Sequence, residues 1–144
     1  MSESMTPDQV RAFMLEGSRT GKLATVRADG SPHVVPVWFT FDDEGRLMFL
    51  TGERSLKARN MARDARVAIA VDDETMPFAW ARIDGTAEFS TDPDDLLYWA
   101  IESCRRYVGV AQAEAFGRRN ATSGELLVRV TPTRLVGATG VADW

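Results

Sequence analysis

The stretch that decides the fold is residues 22–51, KLATVRADGSPHVVPVWFTFDDEGRLMFLT. It contains three runs rich in β-branched and aromatic residues, which are separated by Asp29-Gly30 and by a turn at Asp43-Glu44-Gly45. Short apolar runs divided by such turn signals are typical of hairpin-linked strands. The stretch therefore predicts a three-stranded antiparallel meander.

The middle run has two different faces, because successive side chains of a strand point to opposite sides. The face predicted to be core carries His33, Val35, Val37, Phe39 and Phe41. The opposite face carries Val34, Pro36, Trp38 and Thr40. Proline and tryptophan are an unusual pair for a solvated face, so this face is expected to be covered.

Outside this meander the pattern alternates between helices and strands. Helices are predicted over 6–17, 55–63, 91–109 and 110–119, and strands over 66–71, 78–90 and 125–138, with a loop at 72–77. Thr6, Ser55 and either Thr91 or Asp92 are suited to cap the first three helices. The resulting order, αβββαββααβ, predicts a mainly β (α+β) fold: one domain over 1–144, built as a six-stranded antiparallel barrel with peripheral helices.

Composition excludes several classes of function. The chain has 144 residues, a net charge of −4 and no long basic run, which argues against binding nucleic acid. Residues 1–10 lack the features of a signal peptide, and the longest apolar runs are too short to span a bilayer. The single cysteine, Cys104, forms no intrachain disulfide. A cytoplasmic protein without membrane or nucleic-acid partners is expected.

Side chains able to perform covalent or metal chemistry are scarce. His33 and Cys104 are the only histidine and cysteine, so a His/Cys metal site is not expected. The acidic pairs at 42–43, 72–73 and 94–95 fall at predicted turns or a helix start, where solvation and the helix dipole explain them. No catalytic residue is predicted, and an enzyme of this kind would take its reactive atoms from a cofactor.

Residues 52–60, GERSLKARN, are where such a cofactor could bind. A helix start presents unpaired N–H groups to anions, and Arg54, Ser55 and Lys57 add charge and a hydroxyl. Residues 52–66 contain five basic and two acidic side chains in a chain that is otherwise acidic. Two interpretations stay open, a phosphate site and a solvated, salt-bridged helix.

Residues 21–137 resemble the pyridoxamine 5′-phosphate oxidase-like superfamily, and in particular its branch of deazaflavin (F420)-dependent reductases. The most specific parts are LATVRADGSPHVVPVWF at 23–39 and K-x-R-N at 57–60, followed by RD-x-RV at 63–67. The resemblance implies a split β-barrel and a homodimer with two cofactor sites at the subunit interface.

The resemblance also implies a set of cofactor-binding residues. The ring would lie against Pro36, Val37, Trp38, Leu50, Thr51 and Gly52. The phosphate would be bound by Arg54, Ser55 and Lys57, with Asn60 nearby. The facing subunit would contribute Pro77, Phe78, Ala79 and Trp80, and close approach would be helped by the small residues Ala68, Ala70, Ala79 and Ala81.

In the resembling family, one contact to the cofactor phosphate comes from a residue that this chain does not have. Some members carry a further Arg just before the last strand, where this chain has Glu125 and Leu126. The contact is therefore lost, or passes to Arg118 or Arg119.

The function implied is an F420H2-dependent reductase that transfers a hydride to a small conjugated or carbonyl-bearing acceptor. The alternatives are an FMN-dependent oxidase or reductase of the same fold, and a non-catalytic protein that binds F420, flavin or haem, with His33 as the imidazole ligand. F420 is favoured over FMN because Arg59, Arg63 and Arg66 extend the basic region toward the acidic tail of that cofactor.

Overall fold

The structure is a computed structural model that describes residues 1–142, in which eight antiparallel strands form one sheet beside four helices. The elements are β1 (Glu3–Ser4), α1 (Pro7–Leu15), β2 (Gly21–Val26), β3 (Pro32–Val37), β4 (Thr40–Phe41), β5 (Leu47–Gly52), α2 (Leu56–Arg63), β6 (Arg66–Asp73), β7 (Ala79–Ser90), α3 (Pro93–Tyr107), α4 (Val110–Asn120) and β8 (Glu125–Thr139). The mainly β fold with peripheral helices is confirmed. The six longer strands are those predicted, and the two-residue strands β1 and β4 are too short to show an alternation pattern.

The strand order makes the sheet curl. The order is β3-β2-β6-β7-β8-β5-β4, with β1 added alongside β8. The two edge strands, β3 and β4, are consecutive in the chain and are separated only by Trp38 and Phe39. Because this link spans at most about 11 Å, the two edges of the sheet must lie close together. The sheet therefore curls into a barrel.

The middle run of the meander is split at this point. Residues 32–37 pair with β2, whereas residues 40–41 pair with β5, so one predicted strand serves two neighbours. The predicted faces hold across the break: Val37 and Phe39 are buried, while Val34 and Trp38 are exposed. A continuous alternation of side chains does not reveal a change of hydrogen-bonding partner.

The core fills the inside of the curled sheet. It includes the fully buried Phe39, Phe49, Ile69 and Ile83, and α1 covers one end through Val10, Phe13 and Met14. On this side also lie Ala81, which is fully buried, and Ala79, which packs against the cluster. The expectation that these two alanines share a surface with Ala68 and Ala70 is wrong, because neighbouring strands in register place them on the opposite face.

The loop predicted at 72–77 is shorter than expected, since β6 continues through Asp73, which pairs with Ala79 of β7. Two contacts hold the Asp73 side chain at the end of β6: its carboxylate accepts a hydrogen bond from the Thr75 N–H at 2.9 Å and pairs with Arg19 at 3.2 Å. These contacts lower the pKa of Asp73.

The helix caps follow the predicted chemistry. Thr6 and Gln9 form a reciprocal capping box on α1, and the Ser55 hydroxyl accepts from the Ala58 N–H at the start of α2. Asp92, and not Thr91, caps α3 through two backbone N–H groups. No helix within residues 1–142 is long and apolar enough to cross a membrane.

The link between the two sheet edges is held by the end of α3. The Phe39 N–H donates to the Tyr107 hydroxyl at 3.2 Å, and that hydroxyl donates to the Arg19 carbonyl at 3.0 Å. Arg106 donates to the Phe39 carbonyl, and its guanidinium lies 4.6 Å from the centre of the Phe39 ring. Trp38 stacks on Tyr107 with 4.8 Å between ring centres. We call these four residues, Trp38, Phe39, Arg106 and Tyr107, the closure cluster.

We expect Tyr107→Phe to lower the free energy of unfolding by about 1–3 kcal/mol, because the ring stack remains but two backbone groups lose their hydroxyl partner. Urea unfolding measures this change. The control is Tyr98→Phe, whose side chain is 57% exposed and whose loss of a hydroxyl should change stability by less than about 0.5 kcal/mol. Equal effects in the two variants would show that the closure cluster does not stabilise the barrel.

Candidate functional site

A cavity of about 610 Å³ lies between the barrel and the α3–α4 hairpin. Its barrel side is formed by Pro36, Val37, Trp38, Leu50, Thr51, Gly52 and Lys57. Its helix side is formed by Ala100, Ser103, Cys104, Phe116, Arg119 and Asn120, and Thr122 and Glu125 complete the lining. We call this space the main cavity.

All six residues predicted to lie against the ring line the main cavity, together with Lys57 from the predicted phosphate group. They come from the ends of β3 and β5 and from α2, and the curled sheet places these three elements around one opening. Pro36, Val37, Trp38 and Leu50 give this part of the cavity an apolar surface, and the Trp38 ring is held in place by its stack on Tyr107. A flat heteroaromatic ring fits such a surface by stacking and apolar contact.

A second cavity, of about 490 Å³, lies at the start of α2 and shares Gly52 with the main cavity. It is lined by Gly52, Glu53, Arg54, Ser55, Ser123 and Gly124. The Ser55 hydroxyl already accepts from the Ala58 N–H at 3.2 Å and lies 2.9 Å from the Thr51 hydroxyl. With Thr51 as donor in that pair, the Ser55 proton is available to an anion. The residues therefore fit a ring joined to a phosphate.

Two side chains of opposite charge, Lys57 and Glu125, line the main cavity. Burial raises the pKa of Glu125, and the positive charge of Lys57 partly opposes that rise. Glu125 pairs directly with Gly52 across the β5–β8 ladder, so its carboxylate sits where the two cavities meet. A phosphate bound near Lys57 would raise the pKa of Glu125 further, because two negative charges would then be close together.

Asn60 lines neither cavity. It is fully buried, its amide donates to the Thr25 hydroxyl at 3.0 Å, and its carbonyl accepts from Arg63 at 3.1 Å. Arg63 also donates to the Val26 carbonyl. Asn60 and Arg63 thus attach α2 to β2, and this attachment holds the helix that carries Lys57.

The segment Pro77, Phe78, Ala79 and Trp80 lines neither cavity of its own chain. It forms the end of the β6–β7 hairpin and has a cis Met76–Pro77 peptide. Phe78 and Trp80 of this segment are each 39% exposed, and the preceding residue, Met76, is 68% exposed. A contribution of this segment to the site of a second copy stays a prediction.

The basic path predicted beyond Lys57 is interrupted. Arg66 pairs with Asp64 at 2.8 Å, and hydrogen bonds from Arg66 lower the pKa of Asp64 to about 2. Arg63 is occupied by Val26 and Asn60, as described above. Arg59 alone of the three lacks such a partner within residues 1–142. The predicted extension of positive charge is therefore reduced at Arg66, whereas Arg63 keeps its charge because its partners are neutral oxygens. Counting charges in the sequence does not show which of them are paired.

The structure also separates the two candidates for the missing phosphate contact. Arg118 points away from the cavity and pairs with Glu114 at 3.0 Å, whereas Arg119 lines the main cavity. His33, the candidate haem ligand, lines neither cavity.

Apart from Arg119, sequence reasoning missed the helix side of the site. Ala100 and Cys104 look like core positions because they share the apolar stripe of α3, and they are indeed buried. Close packing of α4 turns this stripe into a cavity wall: a Cβ on Gly117 would lie 2.5 Å from Ile101, so only glycine permits this approach. The spacing of Phe116, Arg119 and Asn120, which places them on one helix face, is the available signal.

Cys104 is not placed for nucleophilic chemistry. Its thiol is buried, it accepts from the Asn120 amide at 3.7 Å, and burial raises its pKa. A thiol with a raised pKa stays protonated and is a poor nucleophile. No group of His, Cys, Asp and Glu suited to a metal ion occurs within residues 1–142.

The family model described as pyridoxamine 5′-phosphate oxidase matches residues 6–136. Two curated relatives are reductases. A 5a,11a-dehydrotetracycline/5a,11a-dehydrooxytetracycline reductase from Streptomyces rimosus is 52% identical over 56 residues, which cover 37% of this chain and 39% of that protein. An F420H(2)-dependent biliverdin reductase from Mycobacterium tuberculosis is 34% identical over 101 residues, which cover 69% of this chain and 71% of that protein.

The fold is shared with solved structures. One described as an F420 reductase superimposes with a TM-score of 0.67 at 30% identity, covering 85% of this chain and 93% of that chain. Similarity in both sequence and fold thus extends over most of this chain, including the barrel side of the main cavity.

We expect Glu125→Gln to gain stability relative to the parent protein between about pH 4 and pH 7. Burial raises the folded-state pKa of Glu125. A carboxyl group whose pKa is higher in the folded protein makes its full contribution to the free energy of unfolding below its unfolded-state pKa, about 4.3. That contribution is lost as the pH rises through the folded-state pKa, whereas Gln at this position does not ionise. The gain should stay below about 1 kcal/mol because the group is partly exposed.

Urea unfolding of the parent protein and of Glu125→Gln, each at about pH 4 and about pH 7, measures this gain in stability. Glu53→Gln, at an exposed position on the neighbouring cavity, is the control. A stability difference for Glu125→Gln that does not change with pH would contradict the expectation.

Proposed function

The chain belongs to the pyridoxamine 5′-phosphate oxidase family, within its branch of F420-dependent reductases, and we propose that it transfers a hydride from reduced F420 to a small conjugated or carbonyl-bearing acceptor. The observation that carries the proposal is the pair of cavities joined at Gly52. An apolar surface for a ring continues there into a cationic helix start for a phosphate.

Each part of the site has a physical task in this proposal. Trp38 and the β3 and β5 ends hold the ring in one orientation, while Lys57, Arg54 and the N–H groups of α2 bind the phosphate. The bound deazaflavin would supply the hydride chemistry. The chain positions ring and acceptor face to face and excludes water from the space between them, which is a contribution of orientation and not of nucleophilic attack.

A flavin is the second candidate cofactor. It shares the ring shape and the phosphate with F420 but lacks the acidic tail. The pairing of Arg66 with Asp64 favours this candidate, because it neutralises one of the cations available to a tail. An FMN-dependent oxidase or reductase would use the same ring and phosphate residues. The haem alternative has no support from the position of His33.

We also propose that two copies form a homodimer with the cofactor sites at the interface. Val34, Trp38, Met76, Phe78 and Trp80 are large apolar side chains, each at least 39% exposed. Exposed apolar side chains mark an interaction surface where they form one continuous patch, and the dimer proposal requires that these do. In a symmetric dimer the same surface serves both copies, so the 77–80 segment of each can reach the main cavity of the other.

Light scattering is expected to give about twice the chain mass of 15.9 kDa. Trp80→Asp should convert the dimer into a monomer because it places a charge within the apolar contact. Glu88→Asp is a control away from that contact. A parent protein that binds cofactor tightly as a monomer would contradict the dimer proposal.

Calorimetric titration with F420 and FMN side by side tests the cofactor. We expect F420 to bind more tightly at low ionic strength and the gap to narrow as salt is added, because contacts to an exposed tail are worth only about 0–1 kcal/mol each and are screened. Tighter binding of FMN at both salt concentrations would contradict F420 and support the flavin alternative.

The control for that titration is Lys57→Ala. Because both cofactors carry the phosphate, this variant should weaken both by about 10- to 150-fold, corresponding to about 1.5–3 kcal/mol for a charge-assisted hydrogen bond. Unchanged affinities with a lowered melting temperature would support the alternative of a solvated, salt-bridged helix at residues 52–60.

A further inference from the structure

The helix side of the main cavity carries one charged side chain within the part of the chain that the structure describes, and that side chain is Arg119. The other lining residues from α3 and α4 are apolar or neutral: Ala100, Ser103, Cys104, Phe116 and Asn120. This side faces the ring-binding residues of β3 and β5. A molecule lying between the ring and the helices would therefore meet apolar contacts and one positive charge.

The charge of Arg119 is not compensated within the protein. Its neighbour Arg118 pairs with Glu114 at 3.0 Å, but no carboxylate within residues 1–142 lies within 4.0 Å of Arg119. The carboxylate that shares the cavity, Glu125, is influenced by Lys57 and not by Arg119. The guanidinium of Arg119 lies 5.9 Å from the ring centre of Phe116, which is its one aromatic contact within residues 1–142.

Arg119 lies apart from two of the three residues of the predicted phosphate group. Arg54 and Ser55 line the second cavity and Arg119 does not, whereas Lys57 shares the main cavity with Arg119 from the barrel side. Because Arg119 belongs to the helix side of the main cavity, an anion bound by it would lie opposite the ring-binding residues of β3 and β5, within the space left for the acceptor. A guanidinium presents parallel N–H groups that match a carboxylate, and the adjacent Phe116 offers a flat apolar surface.

We propose that Arg119 and Phe116 form a subsite for the carboxylate of a flat, conjugated acceptor. The proposal rests on the proposed function, because it assigns the acceptor to the space facing the cofactor ring. Arg119 binds the carboxylate, Phe116 contacts the conjugated body, and the reducible bond then lies between the helices and the ring. Among conjugated acceptors, the subsite selects those that carry an acidic group.

The test compares trans-cinnamate, a flat conjugated acid, with its uncharged amide, by calorimetric titration of the protein without cofactor and with oxidised F420 or FMN. At low ionic strength the parent protein is expected to bind the acid about 10-fold more tightly than the amide, and added salt should narrow this ratio. Equal affinities, or no binding of either compound, would overturn the proposal.

Arg119→Gln should bring the ratio to about one, while the matched control Arg118→Gln, one position away and outside the cavity, should keep the parent ratio. An equal loss in both variants would indicate a general charge effect and overturn the proposal. Arg119→Lys provides a second variant that keeps the charge without the fork of N–H groups, and it should retain part of the preference.

The same variants separate this proposal from the cofactor assignment. Arg119→Gln should change the affinity for F420 and FMN by less than about threefold. A larger loss of cofactor affinity, with the acid preference intact, would assign Arg119 to the cofactor phosphate and overturn the subsite. Failure of F420 to bind would remove the proposed cofactor, whereas the acid-to-amide ratio of the cofactor-free protein would still report the subsite.

Discussion

The two-residue link between β3 and β4 is the constraint on which the rest of the structure depends. Trp38 and Phe39 join the two edges of one sheet, so every strand between those edges must curl to bring them together. Phe39 points into the core and is fully buried, while Trp38 points outward. The backbone between them is satisfied by Arg106 and Tyr107 at the end of α3. Barrel closure and the position of α3 therefore depend on the same contacts.

This closure also creates the candidate site. Trp38 belongs to the closure cluster and also lines the main cavity. The Trp38 ring that would contact a cofactor is therefore held by its stack on the Tyr107 ring. The same helix that supplies Tyr107 supplies Ala100 and Cys104 to the opposite side of the cavity. A change that loosens the end of α3 would therefore alter both barrel stability and the width of the site.

The charges around the site act locally. The chain is acidic overall, yet Lys57, Arg54 and Arg119 stand around the two cavities. Arg63 and Arg66, which look equally basic in the sequence, are occupied by Val26, Asn60 and Asp64. Lys57, Arg54 and Arg119 thus place positive charge where an anionic ligand in either cavity can reach it. Burial raises the pKa of Glu125, and the positive charge of Lys57 partly opposes that rise.

The sequence by itself determined the strands, most helix boundaries, the caps and the barrel side of the site. These depend on alternation, turn residues and cap chemistry, which act between neighbours in the chain, and on motifs such as K-x-R-N at residues 57–60. Only the tertiary structure decided the split of the middle run between β2 and β5, the buried role of Asn60 and the helix side of the cavity. It also decided which arginines are free. Each of these results depends on contacts between residues far apart in the chain, such as Phe39 with Tyr107 or Asn60 with Thr25, and local sequence pattern carries no information about such partners.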